Sequence, residues 1–202
     1  MIQDRVSRFI VAHASGRRDE VLAEAAIRRA YARTAGRPLA WCSDGWQPYP
    51  PVLTRTYRRP VRTGRRGRPP LRVPDGLALT QTIKHCDQHG RLLSVEHRAT
   101  LGEPVAQPTP VHVERLNGVL RDRRACLTRK THAFAKTVET WDALLGLALF
   151  AHNWLWFHPA LRRLSRIPGR RYDQQTPAMA LGLTNHRWTW HEVLTMQAPI
   201  TT

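Results

Sequence analysis

An α/β fold is predicted by three features of this 202-residue sequence. Short β-branched and aromatic runs alternate with longer stretches of helical period, in the order strand, helix, strand. A fully apolar strand runs straight into Ser43-Asp44-Gly45, the kind of strand end at which α/β sheets build sites. Apolar residues make up 42% of the chain, enough for a core.

Residues 8–14 (RFIVAHA) read as a buried strand. Residues 19–34 read as a helix, with Val21, Leu22, Ala25, Ala26, Arg29 and Ala30 at helical spacing and Gly36 beyond its end. Residues 39–42 (LAWC) form the next strand. From Thr54 to Arg72 the composition changes to eight arginines, three prolines, two glycines and no acid, which predicts a loop or extended basic arm. A strand at 78–84, a turn at 87–90 and a strand at 91–100 follow, with Leu92, Leu93, Val95 and His97 fitting the second strand. Within it, His85-Cys86-Asp87-Gln88-His89 reads as a polar hairpin turn closed by Gly90 rather than as a zinc site.

Thr109-Pro110 opens a helix, with threonine as cap and proline at the first helical position. Val113, Leu116 and Leu120 give its apolar face, and Glu114, Asn117 and Arg121 share another. A long helix is expected from Phe134 to about Phe157, its buried stripe running through Val138, Trp141, Leu144, Leu145, Ala148, Leu149 and Trp156. An arginine-rich loop at 162–171 leads to a short helix capped by Thr176-Pro177 and ended by Gly182. Thr189 and Glu192 form a capping box for a last helix.

Lys and Arg total 32 against 15 acids, a formal charge of +17. That excess points to a polyanion, nucleic acid first and acidic membrane second. No run of 18 apolar residues is present, which argues against a membrane span. Met1 to Arg8 is too polar for a secretory signal. Cys42, Cys86 and Cys126 stand far apart, with no CxxC pair, so neither a disulfide framework nor a standard zinc finger is expected. Cys42 reads as a core thiol and Cys126 as a loop thiol.

Asp4, Asp44 and Glu114 carry the chemistry in this reading. Asp4 precedes a strand, Asp44 ends one, and Glu114 lies in the first turn of a helix. Two carboxylates at neighbouring strand tips and a third from a crossing helix can hold two divalent metals about 4 Å apart. Carboxylate oxygens suit hard Mg²⁺. Each acid also has an ordinary explanation: Asp4 as a solvated terminal residue, Asp44 as a turn residue, and Glu114 as an acid favoured by the helix dipole.

The segments Asp4-Arg5 with SRFIVAHASGRR after it, CSDGWQPY (42–49), HVERLNGVLRDR (112–123) and LTRKTHAF (127–134) together resemble the DDE transposases of bacterial insertion sequences. The branch is the one typified by insertion sequence 1. AHNW (151–154) and TPAMALGL (176–183) are similar to that branch as well, so the resemblance spans nearly the whole chain in order. It implies a ribonuclease H-like mixed sheet flanked by helices over residues 1–157, with the basic arm at 54–75 inside it. A basic loop and C-terminal helical tail follow over 158–202. It further implies metal-dependent DNA strand cleavage and strand transfer, with Asp4, Asp44 and Glu114 as the catalytic carboxylates holding two Mg²⁺ or Mn²⁺ ions.

The resemblance places DNA contacts at Asn117, Arg121, Arg129 and Lys130. The basic arm adds Arg58, Arg59, Arg62, Arg65, Arg66 and Arg68. The expected partner is double-stranded DNA, with room for a homodimer on it; no membrane and no small-molecule substrate are expected. The implied location is the bacterial cytoplasm, at the nucleoid. Members of the family carry a DNA-recognition region ahead of the first Asp, whereas three residues precede Asp4 here, so a shortened core is expected. The rival readings are a catalytically inactive DNA-binding remnant, a ribonuclease H-type nuclease acting on RNA:DNA hybrids, and a basic scaffold for acidic partners.

Overall fold

The computed structural model describes residues 1–62, 64, 66–109, 111–123, 125–128 and 132–196. The chain divides into two compact units. One comprises Met1–Ile2 and Val11–Asn117, and the other Gln3–Ile10 and Gly118–Thr202.

The strand expected over 8–14 is confined to β2 (Ile10–Ala12), which forms a two-stranded ladder with β1 (Ile2–Gln3). Arg8, at φ 61°, takes the left-handed conformation and so cannot extend the strand. Helix α1 (Glu20–Arg33) starts where the sequence places it, with the Asp19 carboxylate accepting from the Leu22 N–H. Its buried face is Ala23, Ile27 and Ala30, spaced four and three residues apart.

β3 (Ala40–Asp44) is followed by α2 (Tyr49–Tyr57), which sequence reasoning missed. Pro50 and Pro51 look like helix breakers, but in a first turn their missing N–H groups have no intrahelical acceptor to lose. Val52, Leu53 and Tyr57 are fully buried on this helix, so the segment beginning at Thr54 is not an open arm throughout. Arg55 belongs to the helix pair. Its guanidinium donates to Glu20 at 2.9 Å and to Glu24 at 2.7 Å, tying α2 to α1. Beyond α2, β4 (Arg59–Pro60) pairs antiparallel with β5 (Leu71–Arg72), so the described residues of the arm lie in a basic hairpin rather than an open extension.

β6 (Ala78–Cys86) lies between β3, to which it is parallel, and β7 (Leu92–Leu101), to which it is antiparallel. This is a mixed sheet of an α/β fold. Trp41 and Leu79 point from it into a core made with Ala23, Ile27, Val52, Leu53 and Tyr57 of the two helices. The far half of the β6–β7 hairpin projects beyond that core, leaving Leu92, Leu93 and Val95 exposed although they lie in a strand. Its turn forms as expected, the Asp87 carboxylate accepting from the His89 and Arg91 N–H groups. Helix α3 (Val111–Arg123) buries Leu116 and Leu120.

In the second unit the long helix expected over 134–157 is shorter and broken. α4 (Val138–Phe150) is capped by Thr137 and passes into one π-helical turn, Ala151–Leu155. Phe134 lies outside it, and Val138 is exposed rather than part of the buried stripe. The π turn carries the buried Asn153, whose side-chain oxygen accepts from the Ile10 N–H at 2.8 Å while its amide donates to the Ile10 carbonyl at 3.1 Å. His152 beside it bonds the Arg8 carbonyl through Nε2 at 3.0 Å, and burial holds its imidazole below the usual histidine range. The arginine-rich loop at 162–171 is a small hairpin, β8 (Arg163–Leu164) against β9 (Tyr172–Asp173). α5 (Pro177–Ala180), capped by Thr176, and α6 (Trp190–Thr195), opened by the Thr189–Glu192 capping box, form as the sequence indicates. Among the described residues no helix is long and apolar enough to cross a membrane.

Asn153→Ala orphans a buried N–H and a buried carbonyl together. It should lower the unfolding free energy by about 2–4 kcal/mol in a denaturant titration, whereas Val138→Ala should change it by less than about 0.5 kcal/mol.

Candidate functional site

Asp44 ends β3, and the parallel register sets it beside Thr82 of β6. The chain turns at once into the approach to α2, and that turn is tightly held. The buried Gln81 donates through Nε2 to the Asp44 carbonyl at 3.0 Å and to the Trp46 carbonyl at 3.2 Å. The Asp44 carboxylate accepts from the Trp46 N–H at 3.3 Å. Gly45 suits a close approach here, since a Cβ at that position would stand 3.0 Å from the Ile83 side chain, which would have to give way slightly.

Arg18, ahead of α1, completes the surroundings of Asp44. Its guanidinium donates to Oδ2 at 3.2 Å and lies 5.0 Å from the centre of the Trp46 ring. Trp46 in turn meets Tyr49 edge-on at 5.1 Å. Burial, helped by the Asp44 charge, holds the Tyr49 phenol above the ordinary tyrosine range, and Arg18 works against that shift. The side chain of Asp44 is 54% exposed, so its carboxylate is open to solvent.

Glu114 comes from the first turn of α3. Its Oε1 accepts from Lys84 Nζ at 2.9 Å, and the hydrogen bond holds the ammonium above its usual range. Lys84 is two residues beyond Thr82 on β6. By the alternation of strand side chains, Asp44, Thr82 and Lys84 share one face of the sheet. Glu114 is thus tied, through the Lys84 ammonium, to the sheet face that also carries Asp44. Thr82 between them is buried, its hydroxyl within 3.2 Å of His97 Nδ1 and 3.3 Å of the Pro108 carbonyl.

Asp4 belongs to the other unit. Its Oδ2 accepts from both the N–H and the hydroxyl of the buried Ser7, each at 2.6 Å, and its own N–H donates to the Phe9 carbonyl at 2.7 Å. These bonds shape the turn between β1 and β2, a local role that the sequence did not suggest. Asn117 is half-buried and Arg121 exposed on α3, where the Arg121 carbonyl accepts from the Thr128 hydroxyl. Arg58, Arg62, Arg66 and Arg68 are exposed on the basic hairpin, while Arg59 donates to the Gly36 carbonyl. Arg65, Arg129 and Lys130 lie outside the described residues.

Among the described residues, no three His, Cys, Asp or Glu side chains gather closely enough to hold a metal ion. Asp44 and Glu114 instead each face a cation of the chain itself: Arg18 for Asp44 and Lys84 for Glu114. Sequence reasoning missed both of these cations and Gln81. Nothing in the periodicity marks Lys84 as a partner of Glu114, because 30 residues separate them. No family model, no curated protein and no solved structure matches the chain.

Removing the Asp44 charge should let the Tyr49 phenol titrate closer to its ordinary value. Site-resolved carbon NMR of the tyrosines, comparing the parent with Asp44→Asn, should show a lower titration midpoint for Tyr49 and little change for Tyr57. Because the folded phenol binds its proton more tightly than the unfolded one, its contribution to stability is complete below the ordinary tyrosine range. That contribution is lost as pH rises through the raised value.

Proposed function

We propose that the chain is the catalytic core of a DDE transposase, built on a ribonuclease H-like sheet and cutting and joining double-stranded DNA. The observation that carries this reading is the placement of Asp44 and Glu114. One is a strand-tip carboxylate, and the other, from a helix, pairs with Lys84 of the same sheet face, in a chain of formal charge +17. The sequence resemblance assigns the same two residues and adds Asp4 as the third carboxylate.

The donor set suits hard divalent ions, since it offers carboxylate oxygens and no thiolate or imidazole. Two Mg²⁺ or Mn²⁺ ions would supply the activation of water or a 3′-hydroxyl and the stabilisation of the leaving oxygen. Mg²⁺ keeps several waters and is commonly held by one or two carboxylates together with substrate phosphates, so the unloaded protein need not present three gathered acids. Arg18 and Lys84 sit on half-exposed, solvent-screened pairs that cost little to open. Released from the carboxylates, both cations stand where a phosphodiester would approach. Gln81 and the Asp44–Trp46 turn keep the Asp44 carbonyl and strand tip fixed while this exchange occurs.

Phosphate contacts fit the exposed arginines of the β4–β5 hairpin. They would hold the duplex without reading its sequence. A second reading, DNA binding without catalysis, is favoured by one observation: each acid of the first unit's pair already has a cationic partner.

Two measurements test the proposal. Glu114→Gln should reduce Mg²⁺-dependent nicking of supercoiled DNA to background while leaving the duplex Kd within about threefold. If the parent protein binds DNA but never nicks it with Mg²⁺ or Mn²⁺, the second reading holds. Converting Arg62, Arg66 and Arg68 together to Gln should lower the slope of log affinity against log salt by up to about 2.7, at roughly 0.9 for each phosphate that is no longer neutralised.

A further inference from the structure

The β8–β9 hairpin has a shape and chemistry that the cleavage reading leaves unused. Arg162, Arg163, Arg166, Arg170 and Arg171 are all exposed on it, against a single acid, Asp173. Asp173 pairs with Arg170 at 3.1 Å, while Arg163 and Arg166 have no carboxylate partner among the described residues. Arg162 and Arg171 lie over the ring of Tyr172, at 4.5 and 5.2 Å from its centre, which stiffens the base of the ribbon.

The tip is rigid as well. The Arg170 N–H donates to the Ile167 carbonyl at 3.1 Å across a four-residue turn with Pro168 second and Gly169, at φ 80°, third. That is the arrangement of a type II turn, in which only glycine takes the third position without strain. The Ser165 hydroxyl accepts from the Ile167 N–H at 3.1 Å and donates to Asp173 at 3.0 Å, tying the tip to the ladder. This preorganised turn holds an aliphatic side chain out into solvent: Ile167 is 56% exposed, and Leu164 below it is 76% exposed.

A narrow two-stranded ribbon with arginines along its length and an exposed aliphatic tip matches the elements that enter the DNA minor groove. In such elements the cations contact both phosphate backbones, and an Ile, Leu or Pro is wedged at one base step, kinking the duplex. We propose that the β8–β9 ribbon is a minor-groove wedge that bends double-stranded DNA, with Ile167 as the inserted side chain. An anionic membrane would satisfy the same charges. Two aliphatic side chains on a ribbon tip are a small apolar area to anchor in a bilayer, and rigid, planar guanidinium forks match fixed phosphate rows better. The proposal shares with the proposed function only the assumption that duplex DNA is a partner, and it does not depend on the carboxylates.

The test is a bending measurement on the full chain in EDTA, so that loss of nicking and loss of bending are read separately. End-labelled duplexes of about 40 bp with a central TpA step should show increased energy transfer on binding, and a G·C-only duplex a smaller change, because TpA steps unstack more easily. Ile167→Ala should abolish the increase while changing Kd by less than about threefold, and Ile167→Met should restore it. Converting Arg163, Arg166 and Arg171 to Gln should lower the salt slope by up to about 2.7. The proposal is overturned if bound parent protein leaves the duplex straight, or if Ile167→Ala bends it as well as the parent does. It is also overturned if the ribbon variants lose binding only to phosphatidylglycerol vesicles, which would assign the ribbon to a membrane surface.

Discussion

The parallel pairing of Ala40–Asp44 with Ala78–Thr82 is the constraint on which the first unit depends. One face of that pair carries Trp41 and Leu79 into the core shared with α1 and α2. The other carries Asp44, Thr82 and, one repeat on, Lys84 with its partner Glu114. A slip of one residue would turn Leu79 toward the polar face and move Asp44 off it, so hydrophobic burial and the geometry of the acids are fixed by the same register. Gln81 adds a direct coupling: its amide, on the core face, holds the carbonyls of the turn into which Asp44 leads.

The acids of the chain differ in how many cations hold them. The acids of α1 are structural. Arg28 and Arg55 hold the Glu24 carboxyl below its usual range, and Arg55 joins it to the neighbouring helix. On β7, Arg98 and His85 hold Glu96 below its usual range in the same manner. Asp44 and Glu114 differ, because each faces a single, half-exposed cation that an incoming polyanion would compete for. Exposed arginines are carried by both hairpins, β4–β5 in one unit and β8–β9 in the other, as well as by α1 and α3.

Much of this was legible in the sequence, for local reasons. Asp19, Thr137, Thr176 and Thr189 all cap helices, although the Thr137 cap sits three residues after the start expected for its helix. The β6–β7 hairpin follows from its flanking strands and a turn that Asp87 opens and Gly90 closes. The strand tip at Asp44 and the helical face of Glu114 were readable in the same way. What escaped depended on tertiary context. Pro50-Pro51 conceals α2 because proline disfavours helix interiors but not first turns. The break at residue 151 gives up regular helix to seat Asn153 on the Ile10 backbone, 143 residues away, which no periodicity encodes. The partners of the acids, Arg18 and Lys84, were invisible for the same reason, as was the Ser7 contact that gives Asp4 a structural role. The arginine runs announced their charge but not their shape, since the first supplies the end of α2 and the β4–β5 pair and the second the β8–β9 hairpin.

The central claim is that Asp44 and Glu114 serve one divalent-metal site in the presence of DNA. Fe²⁺ substituted for Mg²⁺ on the full chain bound to duplex DNA tests it most directly, because hydroxyl radicals generated at the ion cut the backbone nearest to it. The expected result is cleavage at two places, near residues 44 and 114, suppressed by excess Mg²⁺ and lost together in Asp44→Asn. Cleavage near one of the two without the other, or a pattern unchanged by Asp44→Asn, would contradict the account.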